Sequence, residues 1–108
     1  MSIEVRIEGD SAIVGVVADD CAGIWPAVEE QLGSAAKHCI LDFSAVTYLN
    51  SMNIAAIISL HKKVGNAGGK LALACISDNI RSVFRVLKLE RMFDLELDLA
   101  GAQTAVSA

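Results

Sequence analysis

The sequence predicts a single α/β domain spanning residues 1–108, with one mixed sheet of four or five strands and helices packed on it. Three observations carry that expectation. Apolar residues alternate at the start of the chain and switch to helical spacing from residue 51. Two later runs, near residues 39–43 and 71–76, are almost continuously apolar, as in strands covered on both faces. Strand-like and helix-like stretches follow one another, which implies parallel neighbours joined by right-handed crossovers.

The elements follow in order. Ile3, Val5 and Ile7 alternate with Glu4, Arg6 and Glu8, the pattern of a half-buried strand. Gly9 and Asp10 make a tight turn, and a more apolar strand returns from Ala12 to Ala18, closing a hairpin. Asp19, Asp20 and Cys21 end it. Ile24, Val28 and Leu32 recur every four residues beside Glu29, Glu30 and Gln31, an amphipathic helix with Pro26 in its first turn and Gly33 as its stop. Cys39, Ile40, Leu41 and Phe43 make the third strand, broken only by Asp42. A loop runs from Ser44 to Asn50. Ile54, Ile57, Ile58, His61 and Val64 then mark a helix starting at Ser51, with Lys62 and Lys63 complementing the dipole of its last turn. Asn66, Gly68 and Gly69 stop it. Leu71 to Ile76 is a fourth strand. Ser77 or Asp78 caps a helix carrying Ile80, Val83, Phe84 and Leu87 on one stripe. Leu95, Leu97 and Leu99 alternate with acids and suggest a short edge strand, and the Ala-rich tail from Ala100 suggests a weak last helix.

Composition excludes several function classes. Apolar residues are 54% of the chain and aromatics only 5%, so the core is aliphatic. Thirteen acids against nine bases leave a net charge of −4, the wrong balance for a general nucleic-acid binder. No apolar stretch approaches the roughly 20 residues that span a bilayer, so membrane insertion is not expected. The start of the chain lacks the basic and apolar regions of a secretory signal, which points to a cytoplasmic protein. Cys21, Cys39 and Cys75 show no metal spacing, and Cys39 and Cys75 read as small hydrophobes inside apolar runs.

The chemical inventory is thin. No histidine pair stands at helical ligand spacing. His38 reads as a surface residue and His61 as a partly buried one at a helix edge. The glycines from Gly65 to Gly69, followed by Lys70, come after a helix and before a strand, the reverse of a phosphate-cradling loop. Asp19 and Asp20 read as a solvated turn. Trp25 either packs the first helix on the sheet or joins a partner surface. No catalytic residue, metal or cofactor is expected, and the chain does not read as an enzyme.

One segment stands apart. After the buried strand, the sequence Leu41-Asp42-Phe43-Ser44-Ala45-Val46-Thr47-Tyr48-Leu49-Asn50-Ser51-Met52-Asn53-Ile54 carries a serine to the start of a helix. Ser51 or Asn50 can serve as an N-cap. The same position suits a phosphoryl group, because a helix N-terminus presents unpaired N–H groups and the positive end of the dipole. The segment resembles the signature of the STAS domain in bacterial anti-sigma factor antagonists, where a strand, a short loop and an Asp-Ser-Ser-Gly motif open a helix. Leu60, Lys62, Lys63 and the stretch from Ala67 to Leu71 resemble the family's helix, turn and next strand, and Val83, Leu87, Leu89 and Phe93 its later segments.

The resemblance implies a regulatory protein that binds an anti-sigma factor which is also a serine kinase. Phosphorylation of the first motif serine, here Ser51, weakens that complex, and a phosphatase reverses it. The expected partner-binding residues are Asn50, Ser51, Met52, Asn53 and Ala56, with Ser59 and Lys63 continuing the face. The motif departs from the family pattern at Asn50 for Asp, Met52 for Ser and Asn53 for Gly. The alternative is a docking subunit or scaffold that uses the same face without covalent change, for example beside a lipid-transporting ABC permease.

Overall fold

The computed structural model describes residues 3–17, 21–32, 34 and 36–107. The expected turn at Asp19 and Asp20 and the expected helix stop at Gly33 lie outside the described residues. Four strands, β1 (Val5–Glu8), β2 (Ser11–Gly15), β3 (His38–Asp42) and β4 (Leu71–Ala74), form one sheet in the order β1-β2-β3-β4. β1 and β2 are an antiparallel hairpin with Glu8 opposite Ser11. Its turn passes through Gly9 at φ +59°, a conformation that suits glycine. The β2–β3 and β3–β4 pairs are parallel, with Ile13 opposite Ile40 and Ile40 opposite Ala72. The sheet is therefore mixed, as expected.

The helices are α1 (Ile24–Val28), α2 (Ser51–Asn66), α3 (Asp78–Val86) and α4 (Leu99–Ser107). Because side chains alternate across a strand, β2 to β4 feed two cores. Ala12, Val14, Cys39, Leu41 and Leu73 point to one face and pack on Ile24, Val28, Ile57, Leu60, Val64, Ile80 and Phe84 of α1 to α3. Ile13, Ile40, Ala72 and Ala74 point to the other and meet Ala102 and Val106 of α4. The continuous apolar runs are thus strands buried on both sides. Each large aliphatic or Phe side chain buried this way contributes about 1.5–3 kcal/mol. The alanines at 72, 74 and 102 have no bulk to hold α4 away from the sheet.

Several elements differ from the sequence expectation. α1 ends at Val28, a turn early. The N–H groups of Gln31 and Leu32 both donate to the Val28 carbonyl, which closes the helix as a turn. β2 stops at Gly15, although Val16 N still donates to Asp42 O at 2.9 Å. Leu95, Leu97 and Leu99 do not form a strand. The flanking aspartates make local bonds instead: Asp94 accepts from Glu96 N at 2.9 Å and Asp98 from Gly101 N at 2.7 Å, the latter opening α4. Leu95 is buried, and its carbonyl accepts from Arg81 Nε. The weak last helix expected from Ala100 is a full element of nine residues.

Two titratable residues also sit differently. His38 is 7% exposed rather than a surface residue. It opens β3, and its Nδ1 accepts from Lys70 N at 3.0 Å, tying the start of β3 to the start of β4. Burial, with the charges of Lys37 and Lys70, holds this imidazole below the usual histidine range, against a smaller opposing pull from Asp10. Cys75 is exposed and takes φ +61° just after β4, so the apolar run breaks one residue before Ile76. Cys39 is buried as expected, and burial pushes its thiol up to about 12.

Candidate functional site

The site lies where the parallel strand β3 ends and α2 begins. Asp42 closes the strand, and its Oδ1 accepts from Ser44 N at 2.9 Å, turning the chain off the sheet. Val46 N donates to Phe43 O at 2.9 Å, which tightens the turn. Phe43, Val46 and Leu49 are buried and anchor the loop every third residue. Between the last two anchors the loop turns outward, leaving Tyr48 69% exposed.

Asn50 is the N-cap of α2. Its backbone is extended, at φ −83° and ψ 171°, and its side-chain oxygen accepts from Asn53 N at 2.8 Å. Of the two capping candidates in the sequence, the asparagine does this work. The hydroxyl of Ser51, the first helical residue, takes no part in the cap and is exposed to solvent. Helix geometry leaves the N–H groups of Ser51 and Met52 without intrahelical partners. No acidic residue stands in the first turn to offset the positive end of the dipole.

The five expected binding residues divide. Asn50, Ser51 and Met52 share the surface, and Met52 is 80% exposed. Ala56 is half-buried against the core. Asn53 is 6% exposed, and its Oδ1 accepts from Cys21 N at 3.0 Å across the molecule. Its side chain therefore fastens the segment before α1 to the first turn of α2, and does not present a contact surface. From Met52 the exposed stripe continues at helical spacing through Ala55, Ser59 and Lys63. Lys63 Nζ also lies 5.8 Å from the Trp25 ring centroid, a cation–π contact that joins α2 to α1.

Beside this stripe lies a shallow apolar cleft lined by Tyr48, Leu49, Ile54, Ile80, Val83 and Phe84. Sequence reasoning turned Val83 and Leu87 inward on the α3 stripe. Only Ile80 and Phe84 are buried there, while Val83, Val86 and Leu87 are exposed. The available signal was the loop's own pattern, in which Tyr48 falls between the apolar anchors Val46 and Leu49.

Neither histidine serves the site. His38 is fixed at the opposite end of β3. His61 sits ten residues along α2 from Ser51, about 15 Å by helical rise, and stacks edge-on against Phe93 at 5.1 Å. Among the described residues no group of three His, Cys, Asp or Glu side chains is placed to hold a metal. No helix of the described residues is long and apolar enough to cross a membrane. What the arrangement offers chemically is an exposed hydroxyl at a helix N-terminus, flanked by apolar contact surface.

A four-stranded mixed sheet with helices on both faces and this loop before α2 defines a small α/β domain. The chain belongs to the STAS domain family, which matches residues 3–102. Solved structures share the fold. An NMR structure of a Thermotoga maritima protein superposes with a TM-score of 0.82 at 18% identity, covering 99% of this chain and 90% of that one. An anti-sigma factor antagonist from Mycobacterium paratuberculosis gives 0.78 at 18% identity, covering 99% and 94%. The Bacillus cell-fate determinant SpoIIAA in its phosphorylated form gives 0.61 at 12% identity, covering 85% and 88%.

Proposed function

We propose that this chain is an anti-sigma factor antagonist-like regulator that docks a protein partner on the face opened by Asn50, Ser51 and Met52. The partner is an anti-sigma factor with serine kinase activity, and Ser51 is its phosphate acceptor. One observation carries the reading: Asn50 caps α2, so the Ser51 hydroxyl is exposed and not spent on the fold. A phosphoryl group on Ser51 adds about −1.5 to −2 charge at the favourable end of the helix dipole. Internally that charge is tolerated. Externally it changes a contact surface whose neighbours, Met52 and Tyr48, are large and apolar. The fold shared with a protein solved in a phosphorylated form is consistent with this role.

The test is to incubate the protein with candidate anti-sigma kinases of the same genome and ATP, then map the product by mass spectrometry. Phosphate on Ser51, lost in Ser51→Ala, is the expected result. Absence of label at Ser51 with every candidate removes the switch. The exposure of Met52 and Tyr48 also supports docking without covalent change, as in a scaffold or permease subunit. In that case Ser51→Ala binds its partner like wild type and no kinase labels the protein.

A further inference from the structure

We propose that the outer edge of β1 pairs antiparallel with the same edge of a second copy of this chain, joining two four-stranded sheets into one. The proposal concerns a sheet edge and does not depend on the role of Ser51. Half of the β1 backbone groups are already used by β2. Glu8 faces Ser11 across a two-residue turn, Arg6 faces Ile13, and Gly15 N donates to Glu4 O. In such a hairpin the closing pair is hydrogen-bonded, and alternate residues follow it. The N–H and C=O groups of Glu4, Arg6 and Glu8 therefore point to β2, and those of Ile3, Val5 and Ile7 point outward.

The side chains follow the same period. Ile3 and Val5 lean on the main core, and Ile7, on the same face, is 40% exposed. Glu4, Arg6 and Glu8 stand on the other face, all exposed. Charged residues usually protect a sheet edge, because like charges meet when it pairs. Here the signs alternate. With Val5 opposite Val5 of the second copy, Ile3 meets Ile7, Ile7 meets Ile3, Glu4 meets Arg6 and Arg6 meets Glu4.

This register satisfies two independent requirements. Its hydrogen-bonded pairs, Val5 with Val5 and Ile3 with Ile7, are formed by the residues whose backbone groups point outward. The Glu4–Arg6 pairs then fall at the non-hydrogen-bonded positions, where opposing side chains approach most closely. The pairing also covers Ile7. Shifting the centre to Ile7 sets Val5 opposite Gly9, which at φ +59° belongs to the turn and cannot extend the ladder. A contact of so few residues is small, so the dimer is a reversible one that forms at high concentration.

Sedimentation equilibrium of the full chain from micromolar to millimolar concentration tests the proposal. The wild type shows a reversible monomer–dimer equilibrium. Glu4→Arg sets Arg against Arg and Arg6→Glu sets Glu against Glu, twice per dimer, and each weakens association about tenfold or more. The double variant Glu4→Arg/Arg6→Glu restores both pairs and returns association to near the wild-type level. In hydrogen exchange of the wild type, the Ile3, Val5 and Ile7 amides slow as concentration rises, while those of Arg6 and Glu8 do not change. A monomer throughout the range overturns the proposal. So does a dimer indifferent to the single reversals, a double variant that stays monomeric, or exchange at Val5 that is independent of concentration.

Discussion

Replacing Asn50 and Ser51 one at a time separates the two residues that compete for the start of α2. Asn50→Ala removes the acceptor for Asn53 N, a bond of 2.8 Å. Loss of an N-cap of this kind costs about 0.5–2 kcal/mol, centred near 1. In a domain of this size 1 kcal/mol lowers the melting temperature by about 4–6 °C. Ser51→Ala removes a hydroxyl that does not cap the helix and is exposed, so its cost stays within about 0.5 kcal/mol. Asn50→Asp keeps the acceptor and adds a negative charge at the positive end of the dipole, a gain of about 0.3–1 kcal/mol at low salt. Urea unfolding followed by circular dichroism measures all three, with the slope expected to stay constant and the midpoint to move. If Ser51→Ala costs as much as Asn50→Ala, the serine is the cap. Its hydroxyl is then committed to the fold, and the case for it as an unspent acceptor fails.

Three further outcomes follow from the structure. His38 must stay neutral for its Nδ1 to accept from Lys70 N, and its folded pKa is lowered, so the unfolded chain takes up the proton first. Stability is therefore flat above the ordinary histidine value of 6.5 and falls as pH drops below it; urea midpoints between pH 7.5 and 5 show this, and a slope equally steep in His38→Gln refutes the assignment. Asn53→Ala removes a buried acceptor and costs about 1–3 kcal/mol, with faster exchange of the Cys21 amide. Asn53→Gly costs about a further 0.5–1 kcal/mol, because glycine in a helix loses more backbone entropy; two variants as stable as wild type would show that the Asn53–Cys21 bond contributes nothing. Of the three thiols only Cys75 is exposed, so a native-state thiol titration labels Cys75 and spares Cys21 and Cys39 until the protein unfolds.

Most of the architecture was legible because it follows from period and burial. The alternation of Ile3, Val5 and Ile7 marks a strand with one covered face. The continuous runs around Ile40 and Leu73 mark strands covered on both, and the structure places helices on each side of them. The alternation of Leu95, Leu97 and Leu99 misled for a physical reason. Asp94 and Asp98 serve local backbone bonds, and Leu95 is held under the Arg81 side chain, so a period of two arises without a ladder. α4 looked weak because its contact face is built from small residues against Ala72 and Ala74. At the site, the motif located Asn50, Ser51 and Met52 at the helix start. It could not show that Asn53 turns inward, since the partner of its side chain, Cys21, is 32 residues away. His38 was misread because a polar residue at a strand end is normally solvated. The N–H of Lys70, also 32 residues distant, supplies its reason to be buried.

In the proposed function the Ser51 face docks a protein partner and charge at Ser51 controls the docking. Calorimetric titration of the cognate anti-sigma kinase, kept without ATP, against the unmodified protein and the protein phosphorylated at Ser51 tests it most directly. Phosphorylation is expected to weaken binding by about tenfold or more, a difference of roughly 1.4 kcal/mol. Equal affinity for the two forms would contradict it.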